Sequence, residues 1–363
     1  MSNGLVVTIV FVVTFLSSLI LIWRGIGLFT RLGLVDQPGP QRVHKRPVPR
    51  GLGTGIYLAF LIGIALTYIM PVARFMEETE RILLMVIGAT IVVAVMLVDD
   101  AIDLDPLTKL AWQILAAAIV VLPGFRGASH GILIESINVP VAGTIHIPLL
   151  IAVGGTFLWL VGMMNVMNWV DGIDGLAGSV TLVSCAVLFV HTYWGPGTIP
   201  QYSISFLPLI LGAAVLGFLP FNWHPAKAIM GDAGAMFLGY ALGIISIIGG
   251  AKIATALLVL GLPLLDGIWV TVYRVLHGRS PSERDMGHLH HRLLAAGLGQ
   301  RTIVLLLSGT SALFGALALL LPNTESKAAS LVLIGVVMLG TIAWLAKRPA
   351  GDMQQASGTD PDA

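Results

Sequence analysis

Apolar runs of about twenty residues recur along this chain, and nothing constrains its fold more, because a bilayer core of ~30 Å takes one such run per crossing helix. They lie near 3–23, 52–70, 82–98, 108–122, 147–166, 177–194, 203–220, 233–250, 253–273, 302–321 and 328–346. Backbone polar groups inside lipid must bond within their own segment, so such runs specify helices. The expected fold is all-α, a polytopic integral membrane protein with about 11 transmembrane helices. Composition agrees: 56% of the residues are hydrophobic and 11% charged, where a soluble domain carries about 25% charged. The first run lacks a basic leader and is followed by basic sequence, so it reads as a retained anchor rather than a cleaved signal. The run at 108–122 is the shortest and begins beside Lys109, whose aliphatic stem can snorkel.

Charge orients the helices. The alternating loops 24–50, 99–109, 167–176, 221–232 and 274–301, with the tail after 346, hold fifteen of the twenty Lys and Arg. The opposite set keeps Arg74, Arg81, Arg126, Lys252 and Lys327. The positive-inside rule places the first set in the cytoplasm, with the N-terminus outside and the C-terminus inside. Residues 350–363 are small, polar and acidic and are expected to be a disordered cytoplasmic tail. No inverted repeat of the kind found in secondary transporters is visible, and the lone Cys185, in an apolar run, reads as a packing residue.

Five polar clusters fall in the cytoplasmic set. Asp99, Asp100, Asp103 and Asp105 follow the third run, where solvated capping and a functional site are both open readings. The segment Asn165 to Gly175 places Asn168, Asp171 and Asp174 at intervals of three, toward one face if helical, with Gly172 and Gly175 allowing close approach or a break. Packing does not explain that combination. Phe221 to Ala235 contains Asn222, Lys227 and Asp232, the last between glycines where an N-cap would also suit. The long loop 274–301 carries His288, His290 and His291; these lack the further ligands of a zinc site, and beside arginines they suit phosphate and sugar hydroxyls. The first loop, from Asp36 to Gly53, is basic and proline-stiffened, fit for lipid headgroups or for a shaped anion pocket. Carboxylates gathered on one face can hold a hard divalent cation, and basic groups there can meet a diphosphate bridged by it.

Taken together, Asp99-Asp100, the N-x-x-D-G-x-D-G segment from Asn168 to Gly175, Phe221-Asn222 with Pro225-Ala226, Gly231-Asp232-x-Gly234 and His288-Leu289-His290-His291 resemble the polyprenyl-phosphate N-acetylhexosamine-1-phosphate transferase family (glycosyltransferase family 4). The sequence is most similar to its undecaprenyl-phosphate N-acetylglucosamine-1-phosphate transferase branch. The resemblance covers nearly the whole chain, which it implies is a single catalytic domain over 1–349 with the five loops as its active site. It implies transfer of a hexosamine 1-phosphate from UDP-N-acetylglucosamine, or another UDP-N-acetylhexosamine, to undecaprenyl phosphate with release of UMP. Magnesium is the implied cofactor, with manganese as the alternative, and the implied setting is the bacterial cytoplasmic membrane. Membrane lipids and the two substrates are the implied partners; a homodimer is left open and nucleic acid is not expected.

By the same resemblance Asp99 and Asp100 are catalytic, Asp232 and Asp99 hold metal, and Lys45, Asn168, Asp171, Asp174, Asn222, His288, His290 and His291 bind substrate. Direct attack by the lipid phosphate and an aspartyl-phosphate intermediate both remain open. Ala235 stands where the family commonly has serine, Leu52 interrupts a Gly-Gly pair, and Ser282, Arg284 and Met286 replace the frequent Phe, Pro and Arg; these changes bear on the sugar more than on the reaction. From the residues alone, an intramembrane prenyltransferase or an ion-coupled transporter are the rival classes.

Overall fold

The apolar runs become helices. The computed structural model describes residues 2–38, 46–127, 130–139, 143–195, 200–248, 253–278, 287–321 and 324–346. Lys45, the stretch 279–286 and the tail 350–363 lie outside the described residues. The helices are α1 (Asn3–Arg31), α2 (Gly53–Ile69), α3 (Met76–Ile102), α4 (Pro106–Val121), α5 (Leu149–Val170), α6 (Leu176–Trp194) and α7 (Tyr202–Asn222), then α8 (Gly231–Ile248), α9 (Ile253–Val259), α10 (Gly261–Leu276), α11 (Leu289–Ala295), α12 (Gln300–Leu320) and α13 (Thr324–Ala346). Eight of them are long and apolar enough to cross a membrane unaided. This is an all-α, multi-pass membrane protein.

Two features depart from the run-by-run expectation. The run at 253–273 is not one rod: α9 and α10 meet at 77° around Leu260. Gly261 and Pro263 stand at that break, where glycine tolerates the bend and proline supplies no N–H to a continuing ladder. Small antiparallel ladders also join the helices, β1 (Val35–Asp36) with β2 (Val48–Pro49) and β3 (Ser136–Val139) with β4 (Gly143–His146).

Helix α8 is the axis of the bundle. Every residue in it is buried except Asp232, and α2, α3 and α5 pack around it. Hydrophobicity drives little association between helices already in lipid, so close backbone approach has to supply the contact. The Gly53–Gly234 crossing does so between α2 and α8: a Cβ on Gly53 would overlap the Gly234 Cα. Beyond it, Pro49–Gly53 is bonded to 229–230 through Ile229 N–H to the Pro49 carbonyl at 2.9 Å, Leu52 N–H to Ile229 at 3.1 Å and Gly53 N–H to Met230 at 2.9 Å. The end of the first loop is thereby fixed beside the start of α8.

Candidate active site

The four carboxylates after the third run divide into two structural and two site residues. Helix α3 continues to Ile102, so Asp99 and Asp100 belong to its last turn rather than to a loop. Asp103 ends the helix with φ of 55°, and Asp105 caps α4 by accepting the Leu107 and Thr108 N–H groups, ahead of Pro106 in the first turn. Capping thus accounts for Asp105. Asp99, 2% exposed, closes the end of α3 through Oδ1, which accepts the Leu104 N–H at 2.7 Å, and turns Oδ2 to Lys109.

Asp99, Asp100 and Asp232 converge with two cations. Arg50 places Nε 2.8 Å from Asp100 Oδ1 and Nη2 2.8 Å from Asp232 Oδ1. Lys109 Nζ lies 2.7 Å from Asp99 Oδ2 and 3.1 Å from Asp232 Oδ2. Asp232 therefore sits between a guanidinium from the first loop and an ammonium from α4. Asp100 also accepts the backbone N–H of Asp232 at 2.9 Å and of Ala233 at 3.3 Å, so it serves as the cap of α8 from another helix. Gly231, with φ of +71°, allows this because a Cβ there would overlap the Asp100 carboxylate. Burial opposes the charge on Arg50, yet Asp100, Asp232 and Asp36 outweigh it and hold the guanidinium above its ordinary pKa.

The N-x-x-D-G-x-D-G segment is helical only in part. Asn168 is half-buried in the last turn of α5, Asp171 follows as its C-cap, and Asp174 lies in the turn before α6. The three residues do not share a helical face. Asp171 stands nearest the carboxylate centre in its electrostatics: burial, reinforced by Asp232, holds its carboxyl well above the usual range although Arg50 opposes the shift. Asp174 looks elsewhere, accepting the Ala226 N–H at 3.0 Å and pairing with His224 Nδ1 at 2.8 Å. Asn222 ties the same turn down, accepting the Gly175 N–H at 3.0 Å and donating to the Ala228 carbonyl at 2.9 Å. Both ends of that amide are engaged with backbone. Asn165 belongs to the bundle, donating to Gln113 at 2.7 Å.

The histidines form a separate arm. His288 is the N-cap of α11, and His290 and His291 are in its first turn. His290 lies against Gly172, so the arm touches the N-x-x-D-G turn. Its Nε2 is buried without a hydrogen-bond partner among the described residues, and burial, with His291 and His288 beside it, holds the ring's pKa well below the ordinary value.

Sequence reasoning passed over four residues that the structure places here. In the sequence Arg50 is one basic residue among several in the first loop, and Lys109 has the position of a snorkelling side chain. Asp266, inside an apolar run, was not singled out, although an ionisable residue in such a run is itself a signal. Gln300, which accepts the Asp174 N–H at 3.3 Å, carried no local signal.

The donor set suits a hard divalent cation. Among the described residues no three acidic, histidine or cysteine side chains already stand in a metal-holding arrangement; instead the Lys109 ammonium bridges Asp99 and Asp232, a cation in the place where two carboxylates need one.

Comparison with known proteins agrees with the order of the motifs. The model of Glycosyl transferase family 4 matches residues 82–250. The chain is 30% identical to a probable undecaprenyl-phosphate N-acetylglucosaminyl 1-phosphate transferase of Bacillus subtilis, over 87% of this chain and 85% of that protein. It is 32% identical to a decaprenyl-phosphate N-acetylglucosaminephosphotransferase of Mycobacterium tuberculosis, over 88% and 83%. It is also 27% identical to an undecaprenyl-phosphate alpha-N-acetylglucosaminyl 1-phosphate transferase of Haemophilus influenzae, over 85% of each. With its motifs in order and its relatives matched over most of their length, the chain belongs to glycosyl transferase family 4.

Proposed function

We propose that the protein transfers N-acetylglucosamine 1-phosphate from UDP-N-acetylglucosamine to undecaprenyl phosphate, giving undecaprenyl-diphospho-N-acetylglucosamine and UMP, the first lipid-linked step of a cell-envelope polysaccharide. The observation that carries this reading is Asp232 at the head of the buried α8, held between Arg50 and Lys109 and flanked by Asp99 and Asp100. The names of the relatives support the polyprenyl-phosphate acceptor and the N-acetylglucosamine 1-phosphate group. The loop charges support a site facing the cytoplasm, the apolar helices support a membrane setting, and the bacterial sources of the relatives support a bacterial one.

In the reaction an oxygen of the lipid phosphate attacks the sugar-linked phosphorus of the donor. The new P–O bond forms as the bond to the UMP oxygen breaks, and UMP leaves with that electron pair. Two anions must meet, so the barrier is electrostatic and preorganised cations lower it. Arg50 and Lys109 supply that field, and their pairing with carboxylates fixes them before substrate arrives. Magnesium, or manganese in its place, would be held by Asp232 and Asp99 and would screen the diphosphate. Asp100, whose oxygens accept from Arg50 and from two backbone N–H groups, keeps α8 and its aspartate in place. Asp99, whose Oδ2 faces Lys109, would take the proton from the lipid phosphate. Asn168, Asp171 and Asp174 border the donor's side of the centre, with Asn222 holding their turn and His288, His290 and His291 closing it from α11.

The test is an assay of purified protein with magnesium, undecaprenyl phosphate and a panel of UDP-N-acetylhexosamines, following UMP and lipid-linked product together. Product with UDP-N-acetylglucosamine is expected. Product with a different hexosamine only would move the sugar assignment, and no UMP with any donor from folded protein would refute the reaction.

A further inference from the structure

Helix α10, past the break that separates it from α9, carries a second polar device at a distance in sequence from the carboxylate centre. Asp266 lies in α10 among Leu264, Leu265, Gly267 and Ile268 and is 8% exposed. A carboxylate in an apolar run is costly and adds nothing to helix packing. Its oxygens are both engaged with α11: Oδ1 accepts the Leu289 N–H at 2.9 Å and Oδ2 stands 3.0 Å from His288 Nδ1. Anchoring a backbone N–H alone could be done by serine or asparagine. Two acceptors, one for the backbone and one for the imidazole, need a carboxylate.

An ionised carboxylate only accepts, so both neighbours donate and His288 Nδ1 carries a proton. Its Nε2 is then the one nitrogen left for a ligand. The Trp169 ring, 5.6 Å away between centroids and tilted by 33°, supports the imidazole from α5 beside Asn168. The ring is thus fixed by a hydrogen bond from one element and by an aromatic face from another.

We infer that Asp266 is the positioning residue of the histidine arm: it locks His288 in the Nδ1–H form and leaves Nε2 as an acceptor for a hydroxyl or amide N–H of the sugar nucleotide. This rests on His288 contacting the donor, as proposed above. Histidines that serve a ligand commonly have their second nitrogen fixed in this way.

Asp266→Asn separates tautomer from shape. The single amide oxygen goes to the Leu289 N–H, the NH2 turns to His288, and Nδ1 must now accept, so the ring switches tautomer and Nε2 becomes a donor. Turnover per KM for UDP-N-acetylglucosamine is expected to fall by roughly 10- to 100-fold. In protein labelled with 15N-histidine, the His288 signals, identified by their loss in His288→Ala, should show a protonated Nδ1 in the wild type and a bare Nδ1 in Asp266→Asn. In the His288→Ala background, Asp266→Asn should cost less than about twofold, because the amide keeps the Leu289 bond and changes only what Asp266 does to that ring. A full cost in that background, or a bare Nδ1 in the wild type, would overturn the inference. If Asp266→Asn does not fold, the wild-type spectrum decides by itself. Folded wild type that releases no UMP would refute the proposed reaction, and the nitrogen spectrum would still judge the Asp266–His288 pair.

Discussion

The carboxylate centre and the histidine arm are built on different plans. In the centre, residues from the first loop, α3, α4 and α8 meet in a network where Asp99, Asp100 and Asp232 each face a cation. The arm hangs on a seven-residue helix tied to α10 through one carboxylate, and it leaves the buried His290 Nε2 without a partner among the described residues. A buried charge network tolerates little change, because removing one member strands the others. The arm, packed through Leu289 and Leu293 and against Trp169, lies outside that charge network, so a change in it does not strand the network's charges. The centre should therefore carry the chemistry and the arm the affinity for the donor.

The sharpest way to break this contrast is Asp232→Asn. It keeps the shape of the side chain but removes the charge that Arg50 and Lys109 share, and turnover is expected to fall by about 10²–10³-fold or more. UMP release by folded, inserted protein measures it; wild-type turnover with an unchanged magnesium requirement would remove Asp232 from the centre. Arg50 comes next. Arg50→Lys can reach Asp100 or Asp232 but cannot span both with a planar fork, so a loss of roughly 10- to 100-fold is expected, with Arg50→Ala worse. Equal activity of the lysine variant and the wild type would show that the bridge is dispensable.

The arm should respond differently. In Gly172→Ala the new Cβ meets the end of the His290 ring rather than backbone, and a side-chain end can give way. KM for the donor is expected to rise by about tenfold with kcat changed by less than threefold, the pattern of lost uniform binding. A fall in kcat with KM unchanged would place the histidines in the chemical step instead.

How much of this was legible in the sequence follows from the range of each interaction. Apolar length announces a helix residue by residue, so all eleven runs correspond to helical segments, and the motifs name Asp99, Asp100 and Asp232, which the structure brings together around Arg50 and Lys109. The spacing of three from Asn168 to Asp174 misled as a helical face, because Gly172 and Gly175 end the helix first. Arg50 and Asp232 are 182 positions apart, and no local pattern distinguishes this arginine from Arg46 or Arg42. Its role comes from the backbone pairing of Pro49–Gly53 with 229–230, a tertiary fact. Lys109 looked like an anchor because its stem does lie at a helix start, and only the packing of α4 against α3 turns it onto Asp99. Asp266 is readable, since the run around it is apolar, but its partner His288 is 22 residues away on another element.

Asp171 gives the smallest effect and the finest test of how the centre is balanced. It is the carboxylate of this group against which no cation stands among the described residues, and burial with Asp232 nearby raises its pKa well above the ordinary value. A carboxyl raised in the folded state binds its proton more tightly there than in the unfolded chain. The stability this gives is fully present below the unfolded pKa of about 3.9 and is lost as pH rises through the folded value. Asp171→Asn cannot ionise, so its melting temperature should exceed that of the wild type by a margin that grows as pH rises and then levels off, reaching a few degrees. Parallel melts in detergent from about pH 4 to 8 span the start of that window. A margin that stays constant across the series would show that Asp171 titrates alike in both states and that Asp232 exerts no net pressure on it.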